Sequence, residues 1–167
     1  DQVLSLFEIV PDYDLNLMEP NQTLESLTSK ILIGISDLLV EIKPDVVFVQ
    51  GDTTTTFASA LATFYKMIPV AHIEAGLRTN NIYSPFPEEI NRRMTTSMAS
   101  YHFPPTNKSR KNLLNEGIKN DEIIVVGNTV IDALLTVSNK IDKEADKYDN
   151  HFSESYNIHF NLSFLVH

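Results

Sequence analysis

The stretch Asp45-Val46-Val47-Phe48-Val49-Gln50-Gly51-Asp52-Thr53-Thr54-Thr55-Thr56 decides the fold. Its first half is an unbroken run rich in β-branched residues, which predicts a strand buried on both faces, as in a parallel sheet. Gly51-Asp52 ends the strand. The threonines open a helix predicted from Thr53 to Met67, with Phe57, Ala60, Leu61, Phe64 and Tyr65 along it. A strand that turns directly into a helix is the repeating unit of an open α/β sheet.

The same alternation continues on either side. Upstream, Leu24, Leu27, Ile31, Ile35, Leu38, Leu39 and Ile42 recur at three- and four-residue spacing, predicting a helix that opens at Thr23 and stops at Pro44. Residues 10–22 read as a loop, with Pro11 and Pro20, and residues 1–9 as the end of a helix. Downstream, Pro69-Val70-Ala71-His72-Ile73 predicts a second strand, ending at Glu74-Ala75-Gly76, followed by a loop from Leu77 to Phe86. Pro87 suits the first turn of a helix that continues through Ile90, Met94 and Met98. Tyr101-His102-Phe103 is a short strand. A basic helix follows from Thr106 to Asn115, with Thr106 as N-cap and Gly117 as stop. Ile123-Ile124-Val125-Val126 predicts a fourth strand, and Gly127-Asn128 leads to a helix from Thr129 to Val137. Strands and helices alternating with short connections predict an α/β, doubly wound, mostly parallel, Rossmann-like sheet. In such a sheet the turns after the strands share one edge, where ligands bind. Residues 138–160 are polar and mixed in charge, a linker or a frayed helix, and Leu162-Ser163-Phe164-Leu165-Val166 resembles a further strand.

Composition narrows the function. A chain of 167 residues with 43% hydrophobic and 21% charged residues is long enough for one globular domain. Its net charge of −9 argues against nucleic acid and anionic membrane as partners, since both require clustered cations. The absence of cysteine excludes a disulfide scaffold, a thiolate zinc site and a cysteine nucleophile, and fits a cytoplasmic location. No apolar run approaches the roughly 20 residues of a membrane helix. The chain opens at Asp1 without an initiator Met or a basic leader, so a piece of a longer polypeptide is expected.

Three carboxylates stand at positions suited to chemistry. Asp52 and Glu74 follow strands, and Glu88 opens a helix after a loop. Acids that converge on one edge shift one another's proton affinity and can give and take protons near neutral pH. Competing structural readings are that Asp52 caps the next helix and that Glu88 serves the helix dipole. Glu74 has no cap to make. Glu89 reads as solvated, as do Arg93, Lys108, Arg110 and Lys111. His72 and His102 read as core histidines. A metal on His72, Glu74, Asp52 and Glu88 is not expected, because no second histidine is spaced to join them. Thr53 to Thr56 offer hydroxyls and N–H groups to an anion or a sugar. They lack the lysine and glycines of a phosphate loop, and no G-x-G-x-x-G follows a strand. Arg78 is placed to meet a phosphate or to pair with a carboxylate. Asn91 and Arg92, one turn beyond Glu88, are placed to orient it.

Four blocks together carry a resemblance. Gly51-Asp52-Thr53-Thr54-Thr55-Thr56, His72-Ile73-Glu74-Ala75-Gly76-Leu77-Arg78-Thr79, Tyr83-Ser84-Pro85-Phe86-Pro87-Glu88-Glu89-Ile90-Asn91-Arg92 and Gly127-Asn128-Thr129-Val130-Ile131-Asp132 resemble the bacterial non-hydrolysing UDP-N-acetylglucosamine 2-epimerase family. The blocks fall in that family's order, and the resemblance covers residues 1 to about 137. The resemblance implies the first half of a two-domain, GT-B-like enzyme. Residues 1–137 would form its N-terminal Rossmann-like domain without the opening strand, residues 138–160 a linker, and residues 161–167 the start of a second domain. It implies an isomerase that interconverts UDP-GlcNAc and UDP-ManNAc without a cofactor or metal, by eliminating UDP across C1 and C2 and adding it back. Asp52, Glu74 and Glu88 are then the acid/base carboxylates, with the one that takes the C2 proton left open. Thr53, His72, Arg78, Asn91 and Arg92 are the implied substrate-binding residues. A homodimeric parent that supplies ManNAc-type sugars for cell-surface polysaccharide is expected. A hydrolysing epimerase, an epimerase for a diacetamido uronic acid sugar and an inactive half-domain are the alternatives.

Overall fold

Short polar side chains start the main helices. Thr23, Thr53 and Thr106 each accept a hydrogen bond from the backbone N–H three residues on, satisfying a donor that the first helical turn leaves open. The computed structural model describes residues 2–143, 150, 153 and 154. In chain order its elements are α1 (Gln2–Leu6), α2 (Leu24–Ile42), β1 (Val47–Gln50), α3 (Thr54–Tyr65), β2 (Val70–Ile73), α4 (Glu88–Met98), β3 (Tyr101–Phe103), α5 (Asn107–Asn115), a 3-10 turn (Asn120–Glu122) and α6 (Thr129–Lys143). The chain divides into two units, Asp1–Gly127 and Asn128–His167.

The first unit is built on three parallel strands in the order β1-β2-β3, with Val49 opposite His72 and His72 opposite His102. Parallel pairing places Gly51, Glu74 and Pro104 beyond the same ends of their strands. Val49 and Val70 pack with Ala60 of α3, and Val47, Met98 and Ala99 close over them. A second cluster joins Ala75 to Leu113 of α5 and Ile123. Alanine at 58, 60 and 62 lets α3 lie close to its neighbours.

Two expectations about strands are corrected. β1 is not buried on both faces: it is the edge of the described sheet, Val49 is 6% exposed and Phe48 59% exposed. Phe48 stacks against Phe103, ring centroids 6.0 Å apart, and stays largely exposed. The fourth strand reduces to one parallel bridge between His102 and Ile123. Ile124 and Val126 still donate to the His102 and Pro104 carbonyls. Pro104 and Pro105 have no N–H to return, and the ladder ends there.

In the second unit, Asn128 caps the start of α6 by accepting from the Val130 N–H at 3.0 Å. The helix runs to Lys143, beyond the Val137 expected. The strand expected at 162–166 and His151, His159 and His167 lie outside the described residues.

Candidate active site

Gly51 turns the chain out of β1 with φ of 75°, a conformation open to glycine at little cost. The His72 ring holds that turn: its Nε2 lies 2.8 Å from the Gly51 carbonyl. A carbonyl only accepts, so the neutral ring carries its proton on Nε2. Burial pushes the His72 pKa down to about 4 despite the opposing effect of this bond. His72 is 0% exposed. It therefore shapes the turn from below and has no surface to offer a substrate, which corrects its assignment as a binding residue. His102, beside it in register, is also fully buried, and burial lowers its pKa too.

Asp52 does not cap α3. Thr53 does, accepting from the Thr56 N–H at 3.2 Å, while the Thr56 hydroxyl donates to the Gln50 carbonyl at 2.6 Å. The Asp52 carboxylate instead meets the Arg92 guanidinium at 2.5 Å, and its backbone carbonyl accepts from Asn91 Nδ2 at 3.0 Å. Asn91 and Arg92 thus orient Asp52 rather than Glu88, a correction to the sequence reading. Thr53 remains exposed at the mouth of the turn.

Glu74 sits just past β2 with φ of 67°, a left-handed conformation that costs a non-glycine residue about 1–2 kcal/mol. Its N–H donates to the Phe103 carbonyl at 3.0 Å. The strained backbone directs its carboxylate to the Gly51 turn: Oε2 lies 3.6 Å from the point a side chain on Gly51 would occupy. Asp52 and Glu74 are therefore brought to the same turn. Glu88 opens α4, and its Oε2 is buried with no hydrogen-bond partner among the described residues.

Glu89 overturns its expectation. It is 0% exposed. Its carboxylate accepts from the N–H of Thr79 at 3.0 Å and of Asn80 at 3.2 Å, and it pairs with Arg93 at 3.0 Å and Arg92 at 3.4 Å. Arg93 belongs to this cluster rather than to a solvated face. Arg92 and Arg93 at i+3 and i+4 allow such pairing, but the same spacing occurs on solvated helix faces and does not mark Glu89 as buried.

Arg78 is also corrected. Its side chain is 2% exposed. It grips Glu116 through Nε and Nη2, both at 2.7 Å, and reaches Thr96 at 3.0 Å. Of its two sequence readings, carboxylate pairing is the one realised. The neighbouring Gly76 is pressed against α5, where a Cβ would lie 2.4 Å from the Ser109 carbonyl.

Among the described residues, no group of three or more His, Cys, Asp or Glu could hold a metal ion, and no helix is long and apolar enough to cross a membrane.

A parallel three-stranded sheet with helices alternating along the chain is a Rossmann-like half, and its structural neighbours make it GT-B-like; comparison with known proteins gives the family. A family model described as UDP-N-acetylglucosamine 2-epimerase matches residues 1–163, past the point where the four sequence blocks end. The chain belongs to this family. It is 60% identical over 141 residues to a UDP-N-acetylglucosamine 2-epimerase of Neisseria meningitidis, covering 84% of this chain and 38% of that protein. It is 55% identical over 156 residues to one of Escherichia coli, covering 93% of this chain and 41% of that protein. A crystal structure of the Neisseria meningitidis enzyme bound to UDP-GlcNAc superposes with a TM-score of 0.87 at 54% identity, over 94% of this chain and 42% of that one. One from Methanocaldococcus jannaschii in complex with UDP-GlcNAc and UDP superposes with 0.83 at 41% identity, over 90% and 42%. The chain thus spans about two-fifths of the length of these relatives.

Proposed function

We propose that the complete protein carrying this chain interconverts UDP-GlcNAc and UDP-ManNAc by inversion at C2 of the sugar. The observation that carries the reading is that Glu74 Oε2 reaches the Gly51 turn, beside which Asp52 is held by Arg92, in a chain of this family. The C2 hydrogen is a very weak acid, so direct deprotonation is slow. Elimination lowers the demand: a base takes the C2 proton, a C1–C2 double bond forms, and the C1–O bond breaks with its electron pair leaving on UDP. Return of UDP oxygen to C1, with a proton delivered to the opposite face of C2, gives the epimer. The scheme needs acid and base groups on two faces of the ring and a held leaving group. Asp52, Glu74 and Glu88 are proposed to supply the proton transfers, and Thr53 to meet the substrate at the mouth of the turn. Residues outside these 167 complete the cleft, so turnover is assigned to the complete protein and not to this chain alone. A soluble cytoplasmic homodimer that supplies ManNAc-type sugars is the setting proposed.

The test is incubation of the complete protein with UDP-GlcNAc, followed by NMR. UDP-ManNAc in equilibrium with UDP-GlcNAc is expected. Free ManNAc with stoichiometric UDP would assign a hydrolysing enzyme instead.

A further inference from the structure

Glu89 has no face open to a ligand, yet it contacts two parts of the site at once. One carboxylate oxygen takes the Thr79 N–H and lies 3.4 Å from Arg92; the other takes the Asn80 N–H and Arg93. Asn80 adopts a left-handed backbone, φ of 62°, and its side chain accepts from Arg93 at 3.1 Å. The loop after Gly76 is thereby tied to the first turn of α4, the turn that carries Glu88. Arg92, three residues on, uses its other nitrogen for Asp52. A carboxylate–guanidinium–carboxylate chain therefore runs from Glu89 through Arg92 to Asp52. Arg92 is itself buried, and a buried guanidinium between two acids is held in one rotamer by both.

We propose that Glu89 is a positioning residue for the C2 epimerisation, fixing Arg92, and through it Asp52, while it pins the Thr79–Asn80 backbone beside Glu88. This rests on the reading under Proposed function. Burial by itself would push the Glu89 carboxyl up. The bonds from Thr79, Arg93 and Asn80 and the charge of Arg92 outweigh it and hold its pKa below the usual glutamate range. It is thus ionised at neutral pH and balances the arginines. Without that charge, Arg92 loses one of the two acids that hold its rotamer, and its grip on Asp52 loosens.

The test uses the complete protein with Glu89→Gln, Asp52→Asn and the double variant. Glu89→Gln is expected to lower kcat for UDP-GlcNAc about 100-fold, the scale of a roughly 1 Å misplacement, with KM within about threefold. In the Asp52→Asn background the same change is expected to cost less than about threefold, since its target is gone. By NMR, the Arg92 guanidinium N–H signals, held by both acids in the parent, are expected to broaden and exchange faster with solvent in Glu89→Gln. Full additivity of the two substitutions, or Arg92 guanidinium signals unchanged in Glu89→Gln, would overturn the proposal. If the parent protein does not epimerise UDP-GlcNAc, the functional reading fails, and the Arg92 guanidinium signals still decide the coupling. If Glu89→Gln does not fold, Glu89→Asp keeps the charge but falls one methylene short, and a parental kcat in that variant would likewise overturn it.

Discussion

Arg92 Nη2 lies 2.5 Å from Asp52 Oδ2, so the carboxylate beyond β1 is held by a residue forty positions later on α4. The contact ties the exit of one strand to the helix that follows the next. It also shows why Asp52 carries no capping duty: Thr53 relieves it, and its carboxylate is left for the guanidinium.

Each of the three acids is expected to matter to turnover. In the complete protein, Asp52→Asn, Glu74→Gln and Glu88→Gln should each lower kcat by about 100-fold or more, the usual scale for a general acid or base. KM for UDP-GlcNAc should move less. Steady-state kinetics decides the matter, and near-parental turnover in any one variant removes that residue from the chemistry.

Arg78 should behave as a structural residue. It is almost fully buried against Glu116 and Thr96, while Glu116 keeps some access to water. Arg78→Ala is therefore expected to cost about 2 kcal/mol of stability, below the range for a fully buried pair. Urea denaturation measures this. A KM increase of the size expected for a lost phosphate contact, with stability unchanged, would return Arg78 to the substrate.

The helices were readable because their signals are local. Thr23, Thr53 and Thr106 stand where the caps form, and the apolar spacing of α2 predicts its extent to within a residue. The placement of Asp52 and Glu74 beyond the strand ends was readable because both follow strands of a parallel sheet. Glu89 was not, since two of its partners are backbone N–H groups nine and ten residues upstream, which no periodic pattern reveals. An acidic pair at a helix start looks the same whether solvent or a folded-back loop receives it. Arg78 was ambiguous for a similar reason: its acid partner is 38 residues away. The fourth strand failed on the other side of the ladder, where Pro104 and Pro105 cannot donate.

Acid should weaken the fold through His72. Its pKa drops on folding from its ordinary value of 6.5 to about 4, so between those pH values the unfolded chain binds a proton that the folded chain does not. Stability is complete above about pH 6.5 and falls as pH is lowered toward 4, by roughly 3 kcal/mol at 1.36 kcal/mol per pKa unit. Burial of His102 acts in the same direction. Denaturation curves at pH 7 and pH 4.5 should show a smaller acid loss in His72→Gln than in the parent. Equal losses would mean that this histidine is not the sensor.

Two glycines should differ sharply when replaced. At Gly76 a methyl would meet the Ser109 carbonyl at 2.4 Å, with φ of 82° adding strain. Gly76→Ala is expected to cost more than about 3 kcal/mol. At Gly51 the nearest atom is Glu74 Oε2 at 3.6 Å, so Gly51→Ala carries mainly the left-handed backbone cost of about 1–2 kcal/mol. Melting of the two variants side by side checks the order.

The most direct test of the central claim is to run the complete protein on UDP-GlcNAc in deuterium oxide and read C2 of the product by NMR and mass spectrometry. Elimination and re-addition predict UDP-ManNAc carrying one solvent deuterium at C2, with UDP retained in the nucleotide sugar. UDP-ManNAc with protium at C2 throughout would contradict the account.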